Sequence, residues 1–298
     1  MSEAQKSSDI GMKRGRVIAS MTPDKQLDLI AEGLPILMRS AADLFNAATT
    51  LPGHTRASKI LEGHALEEAA KILILMDIVR CPPKIRPSLI GPMMKRFYDH
   101  LARLLYIEAQ HWRPMDLNDL RKYVNNERRS HYLEGYVGEY ILPNSATSAR
   151  ESLLYADIIT YEEGDPIWSE PSYADRVSPK FSQHSSAWKT CEALQIVGAF
   201  TRRGLDLVSS AWAEVEFSGE ETSRQSSDLA LKMLTSLDGE KLIPEDATNE
   251  HARHLMHRWQ LPMYRLEFTR QEVPLEELKK QREANMWAEA GYDERDFF

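Results

Sequence analysis

Apolar residues recur along most of this chain at alternating steps of three and four, the period of a helix that buries one face. The first clear stripe is Leu27, Ile30, Leu34, Leu37, Ala41, Leu44 and Ala48. Thr22-Pro23-Asp24 stands before it as an N-cap, a proline at the first helical position and an acid in the first turn, and Leu51-Pro52-Gly53 ends it. Pro35 lies inside the stripe as a candidate kink. A second helix is predicted over about 54–79, stopped by Cys81-Pro82-Pro83. Further helices are predicted over about 93–109, 117–136, 145–154, 187–213 with an interruption near Gly204, 223–237, 244–259 and 274–290. Around 155–172 the pattern turns β-rich on either side of Glu-Glu-Gly-Asp-Pro, which predicts a small hairpin. The expected fold class is therefore all-α: a helical bundle with a small β-hairpin insertion and additional C-terminal helices. The expected division is a flexible tail over 1–20, a helical domain over 21–217 and a helical extension over 218–298.

The second helix breaks the simple pattern. In HALEEAAKILILMDIV aliphatic residues cover most of the circumference, yet His64, Glu68 and Lys71 share one face at i, i+4 and i+7, with Glu67 at its shoulder. Unpaired buried charges cost several kcal/mol each, so these groups must be exposed, paired or facing a polar groove. The simplest solution is an intrahelical Glu67–Lys71 pair worth about 0.3 to 0.5 kcal/mol. The predicted third helix repeats the spacing with Arg96, His100 and Arg103, and Asp99 at the shoulder. If the two stripes face each other, Glu67 or Glu68 meets Arg96 or Arg103, and His100 sits among charges that tune it. Such a seam is either a structural ion-pair network or a reaction centre.

Composition narrows the function classes. The chain has 298 residues, 42% hydrophobic and 28% charged, the balance of a soluble globular protein. Its longest aliphatic run, Ile72 to Val79, is interrupted by Asp77 and falls far short of the roughly 20 residues that cross a bilayer. The first residues carry no apolar signal-peptide core, so the expected location is cytoplasmic, with no membrane partner. Cys81 and Cys191 have no CxxC context and are expected to be reduced thiols. A formal net charge of −8 argues against a broad nucleic-acid surface; Arg121 and Lys122 with Arg128 and Arg129, and the pair Arg202 and Arg203, are candidates for a local basic groove or simply solvated helix faces. His251, His254 and His257 step by about 300° each along a helix and do not converge on one metal, so no metal or cofactor is expected. No GxGxxG, GxxxxGK[ST], HExxH or GxSxG occurs. Trp112, Trp168, Trp188, Trp212 and Trp259 read as core and inter-helix packing, although Trp168 on the hairpin looks exposed.

Four ordered segments resemble the AbiV-like abortive infection proteins of bacterial phage defence, within the HEPN superfamily. They are ALEEAAK (65–71), RFYDHLAR (96–103, with Arg103 where lysine is more usual), RESLLYADIITYEEGDPIWSEP (150–171) and GAFTRRGLDLVSSAW (198–212), spanning about 25–215 of the chain. The resemblance implies an HEPN-like helical bundle, a homodimer, action on RNA or translation, and a phage protein as trigger. Many HEPN proteins are metal-independent ribonucleases with an Arg-x4–6-His motif, in which histidine moves the proton and arginine stabilises the phosphate. None of the nine histidines here has arginine at that spacing; Arg96 precedes His100 by only three intervening residues, and lysines occupy the four-residue gap before His64 and His100. Arg128 with His131 reads as structural. On the family's chemistry the catalytic candidates are His100, Arg96 and Arg103, supported by Glu67, Glu68, Lys71 and His64. The competing reading is a non-catalytic module that docks a protein or nucleic acid.

Overall fold

The computed structural model describes residues 13–51, 55–130, 144–159, 165–171, 185–274, 276–280 and 283–284. It is mostly helical, as the periodicity predicts. The main described helices are α1 (Pro23–Thr50), α2 (Arg56–Arg80), α3 (Arg86–Tyr98), α4 (His100–Ala109), α5 (Leu117–Glu127), α6 (Ser145–Leu154), α7 (Ser186–Ile196), α8 (Arg202–Trp212), α9 (Ser223–Gly239) and α10 (Asn249–Arg258). Two short strand pairs accompany them. β1 (Arg129–Ser130) runs parallel to β4 (Gln271–Glu272), and β2 (Asp157–Ile159) pairs antiparallel with β3 (Ile167–Ser169). The latter is the hairpin expected near 155–172, with Ile158 opposite Trp168.

α1 begins where its cap predicts, with Thr22 accepting from the Lys25 amide and Pro23 at the start, and it continues through Pro35 as one helix. Its buried face is Leu27, Ile30, Leu34, Met38, Ala41, Phe45 and Ala48. Leu37 and Leu44 lie at the edge, because at 3.6 residues per turn the inward direction drifts onto Met38 and Phe45.

α2 is the central helix, flanked by α1, α3, α4, α6, α7 and α8. Every residue from Ile72 to Arg80 on it is buried, which explains the aliphatic run without a membrane; no described helix is long and apolar enough to cross one. Residues 259–268 share this core, with Leu261, Met263, Tyr264, Leu266 and Phe268 all buried in it.

Several expectations need correction. Residues 13–19, read as tail, are helical, and Gly15 lies so close to α3 that a Cβ there would come within 3.2 Å of Met94. The predicted helix over 93–109 is two helices. Asp99 between them is extended, and its carboxylate caps α4 by accepting from the Ala102 amide at 2.9 Å. The interruption expected near Gly204 lies at Gly198, whose φ of +78° favours glycine and where a Cβ would meet the Leu242 carbonyl oxygen at 2.5 Å. Gly204 instead belongs to the first turn of α8, its amide capped by Thr201. α5 ends at Glu127, and α10 starts at Asn249 rather than near 244. His131 lies outside the described residues. Trp188, Trp212 and Trp259 are buried as read, whereas Trp112 and Trp168 are exposed.

Candidate functional site

The polar seam forms, but with different partners from those its spacing suggests. Glu67 faces inward from α2 with its side chain 5% exposed, and three groups converge on its carboxylate. His100 Nδ1, at the start of α4, is 2.7 Å from Oε2. Arg103, one turn further on, reaches the same oxygen at 3.3 Å. Arg150 Nε, from α6, donates to Oε1 at 2.8 Å. Burial by itself would raise the Glu67 carboxyl; the hydrogen bond from His100, the charge of Arg103 and the hydrogen bond from Arg150 outweigh it and bring the group down to about 2. Glu67 is therefore a carboxylate throughout the ordinary pH range.

Local structure holds each partner in place. The Asp99 break starts α4 so that His100 is its first residue, and Arg103 Nε donates to the Asp99 carbonyl at 3.2 Å. α6 is capped by Asn144, which accepts from the Thr147 amide at 3.0 Å. Its far end is held by Arg56, the first residue of α2, whose Nε and NH2 donate to the carbonyls of Leu153 and Leu154 at 2.8 and 2.7 Å. Burial lowers Arg103, opposed by the charges of Glu67 and Glu68.

His100 Nδ1 also lies 3.0 Å from Arg103 NH2. One ring nitrogen cannot both donate to a carboxylate and accept from a guanidinium. The shorter, charge-assisted contact sets the tautomer: Nδ1–H donates to Glu67, and Arg103 lies against the ring as a neighbouring cation. Nε2 then carries the lone pair. It has no partner among the described residues, and the side chain is 57% exposed. A buried carboxylate, an oriented imidazole and an open nitrogen form an acid–base arrangement, and one carboxylate facing two guanidinium groups favours an anion beside it.

The other predicted residues sort clearly. Glu68 does not meet the seam; it pairs with Lys71 at 2.5 Å, replacing the expected Glu67–Lys71 pair, and Lys71 lies 5.6 Å from the Phe97 ring centroid. Arg96 is not brought to His100. The break at Asp99 removes the i, i+4 relation, and its guanidinium donates to the carbonyls of Met263, Tyr264 and Leu266 at 3.1, 3.1 and 2.5 Å, over the Phe268 ring. His64 lines a cleft between α2 and α6 with Glu67, Arg150 and Leu153. That cleft has a cavity volume of about 50 Å³, room for a few waters but not for an enclosed small-molecule ligand. Arg150 is the site residue that the helical spacing missed; its signals were a basic residue on a capped helix and its place at the head of the 150–171 segment.

Elsewhere, several of the candidate basic residues are engaged. Arg202 meets Asp24, Asp28 and Asp206, Arg203 meets Glu240, and Arg128 donates to the Thr269 carbonyl at 3.0 Å. His251 closes a capping box with Thr248, and His254 Nε2 lies 3.0 Å from the Thr190 hydroxyl. Cys81 and Cys191 are free and buried, and burial pushes both thiols up, Cys81 to about 12, so neither is a thiolate nucleophile. Comparisons with protein-family models, curated proteins and solved structures return no match for the chain.

Proposed function

We propose that the chain is an HEPN-type, AbiV-like phage-defence protein that acts on RNA, as a dimer, with His100 as its acid–base group. The observation that carries the acid–base role is the 2.7 Å contact from His100 Nδ1 to buried Glu67, which leaves Nε2 open beside Arg103. RNA suits this arrangement because it brings its own nucleophile. Nε2 takes the proton of a ribose 2′-hydroxyl, or returns one to the departing 5′-oxygen, while Glu67 stabilises the imidazolium and Arg103 faces the phosphate. Arg150 and Glu67 position these groups, and Glu68 and Lys71 brace the adjoining turn. The phage-defence role rests on the ordered resemblance alone, with the phage protein trigger and the action on translation implied by it.

A second reading is favoured by one observation. Both arginines near His100 already bind Glu67, as in a structural ion-pair node of a non-catalytic docking module. Incubating labelled RNA in EDTA with wild type and His100→Ala separates the two. The nuclease reading expects cleavage by wild type alone, leaving 2′,3′-cyclic phosphate ends; no cleavage supports the docking module, and equal cleavage by both proteins overturns the assignment of His100.

A further inference from the structure

A larger cavity lies at the opposite end of α4 from His100, roughly 15 Å away along a ten-residue helix. Its volume is about 370 Å³, within the range of small-molecule sites. Three elements meet there: Trp112, Arg113 and Pro114 after α4, the first turns of α9 from Ser223 to Asp228, and the end of α10 through His257 and Arg258. Gln260 braces the wall, its Nε2 donating to the carbonyls of Ala109 and Trp112 at 2.5 and 3.2 Å.

The charge in this cavity is uncompensated. Arg113, Arg224 and Arg258 line it, and none forms an ion pair with a carboxylate among the described residues. Asp228 is the single acid in the lining, and it pairs with none of them. Burial lowers Arg113, and the charge of Arg258 lowers it further. Burial also brings nearby His254 down to about 4, aided by the charges of Lys189, Arg113 and Arg258. The negative end of α10 accounts for a cation at Arg258. It does not account for Arg113 and Arg224, which arrive from two other elements.

Two polar groups in the first turns of α9 are also unspent. In the capping box Thr222 takes the Gln225 amide, and the Ser223 amide donates to the Met115 carbonyl, leaving the Arg224 amide without an acceptor among the described residues. Ser226, only 6% exposed, lines the cavity with its hydroxyl unpaired among the described residues. A helix N-terminus, three guanidinium groups without a carboxylate partner and the free hydroxyl of a mostly buried serine together complement a phosphate. Trp112, stacked on Tyr123 and 39% exposed, adds an aromatic edge.

We propose that this cavity binds a small phosphate-bearing ligand of mononucleotide size, its phosphate held by Arg113, Arg224, Arg258 and the Ser226 hydroxyl. The acidic chain as a whole favours a small ligand over a polyanion. This site is independent of the His100 reading and stands or falls without it.

Calorimetric titration of the full chain with pyrophosphate and with AMP, at constant ionic strength, tests it. Both probes are expected to bind saturably, one per chain. Arg224→Ala and Arg258→Ala, exposed positions whose guanidinium groups form no hydrogen bond or ion pair among the described residues, are expected to weaken binding about tenfold each while circular dichroism stays unchanged. Tighter binding of AMP identifies a nucleotide as the ligand class, and tighter binding of pyrophosphate an inorganic one. Absence of saturable binding, equal affinity of the variants, or binding of single-stranded RNA alone at these arginines overturns the proposal.

Discussion

Glu67 and Asp77 are both buried carboxylates on α2, about 15 Å apart along its axis, and both meet arginine. Around Asp77 the interior closes completely. Arg80 pairs with it, Tyr106 donates to Oδ2 at 3.1 Å, and the Met263 amide donates to the same oxygen at 2.9 Å. Arg80 in turn donates to the Gln260 carbonyl at 2.9 Å and lies 4.0 Å from the Trp259 ring centroid. Together these contacts lock residues 260–263 and Tyr106 of α4 against the central helix. Around Glu67 the arrangement is just as tight on two sides, but the third partner is a histidine with its far nitrogen in solvent. Both charges are desolvated and both are satisfied; they differ in whether the network ends inside the protein or at its surface. Only a network that ends at the surface can pass a proton to another molecule.

The largest test of this difference removes the closed node. Asp77→Ala strands Arg80 in the core and is expected to lower stability by about 3 to 5 kcal/mol in urea denaturation. A loss below about 1 kcal/mol would mean that the Gln260 carbonyl and the Trp259 and Trp212 rings satisfy Arg80 alone, and the contrast would fail. Next comes the pH dependence of the open node. Glu67 ionises at about 2 in the folded chain against 4.5 for the free group, so the native state binds fewer protons. Its contribution is complete above about pH 4.5 and is lost as pH falls toward 2, on the order of 3 kcal/mol. Comparing acid unfolding of wild type and Glu67→Gln should show that difference shrink across this window; parallel curves would remove Glu67 from the network. His100→Ala should change stability by less than about 1 kcal/mol, because the ring is mostly exposed, while the RNA cleavage proposed above is lost. A large destabilisation would make His100 a structural member of the node, like Arg80. The smallest effect belongs to Lys71→Ala, which breaks the partly exposed Glu68 pair at a cost of about 0.3 to 0.5 kcal/mol.

Much of the helical framework is legible from local pattern. The cap at Thr22, the proline stop after Cys81 and the hairpin near 155–172 all depend on neighbours in the chain. The failures share a cause. RFYDHLAR reads as one helical turn after another, but Asp99 gains more by capping α4 than by continuing α3, which separates Arg96 from His100. Gly198 and Gly204 are equally plausible breaks in sequence, and the approach of the Leu242 carbonyl selects the first. Pairing of Glu67 with Lys71 is the best local option; Arg150, 83 positions away, offers a better one only after α6 has docked.

By itself the sequence determined that this chain folds into helices, where most of them begin and end, and that α2 lies inside with charges needing partners. Periodicity, capping and burial are short-range consequences of residue type. The tertiary structure alone decided which partners those charges found: Arg96 for the backbone of 263–266, Asp77 for a sealed core, and Glu67 for an exposed histidine. Those choices depend on groups far apart in the chain arriving within 3 Å of one another, and no local pattern encodes that distance.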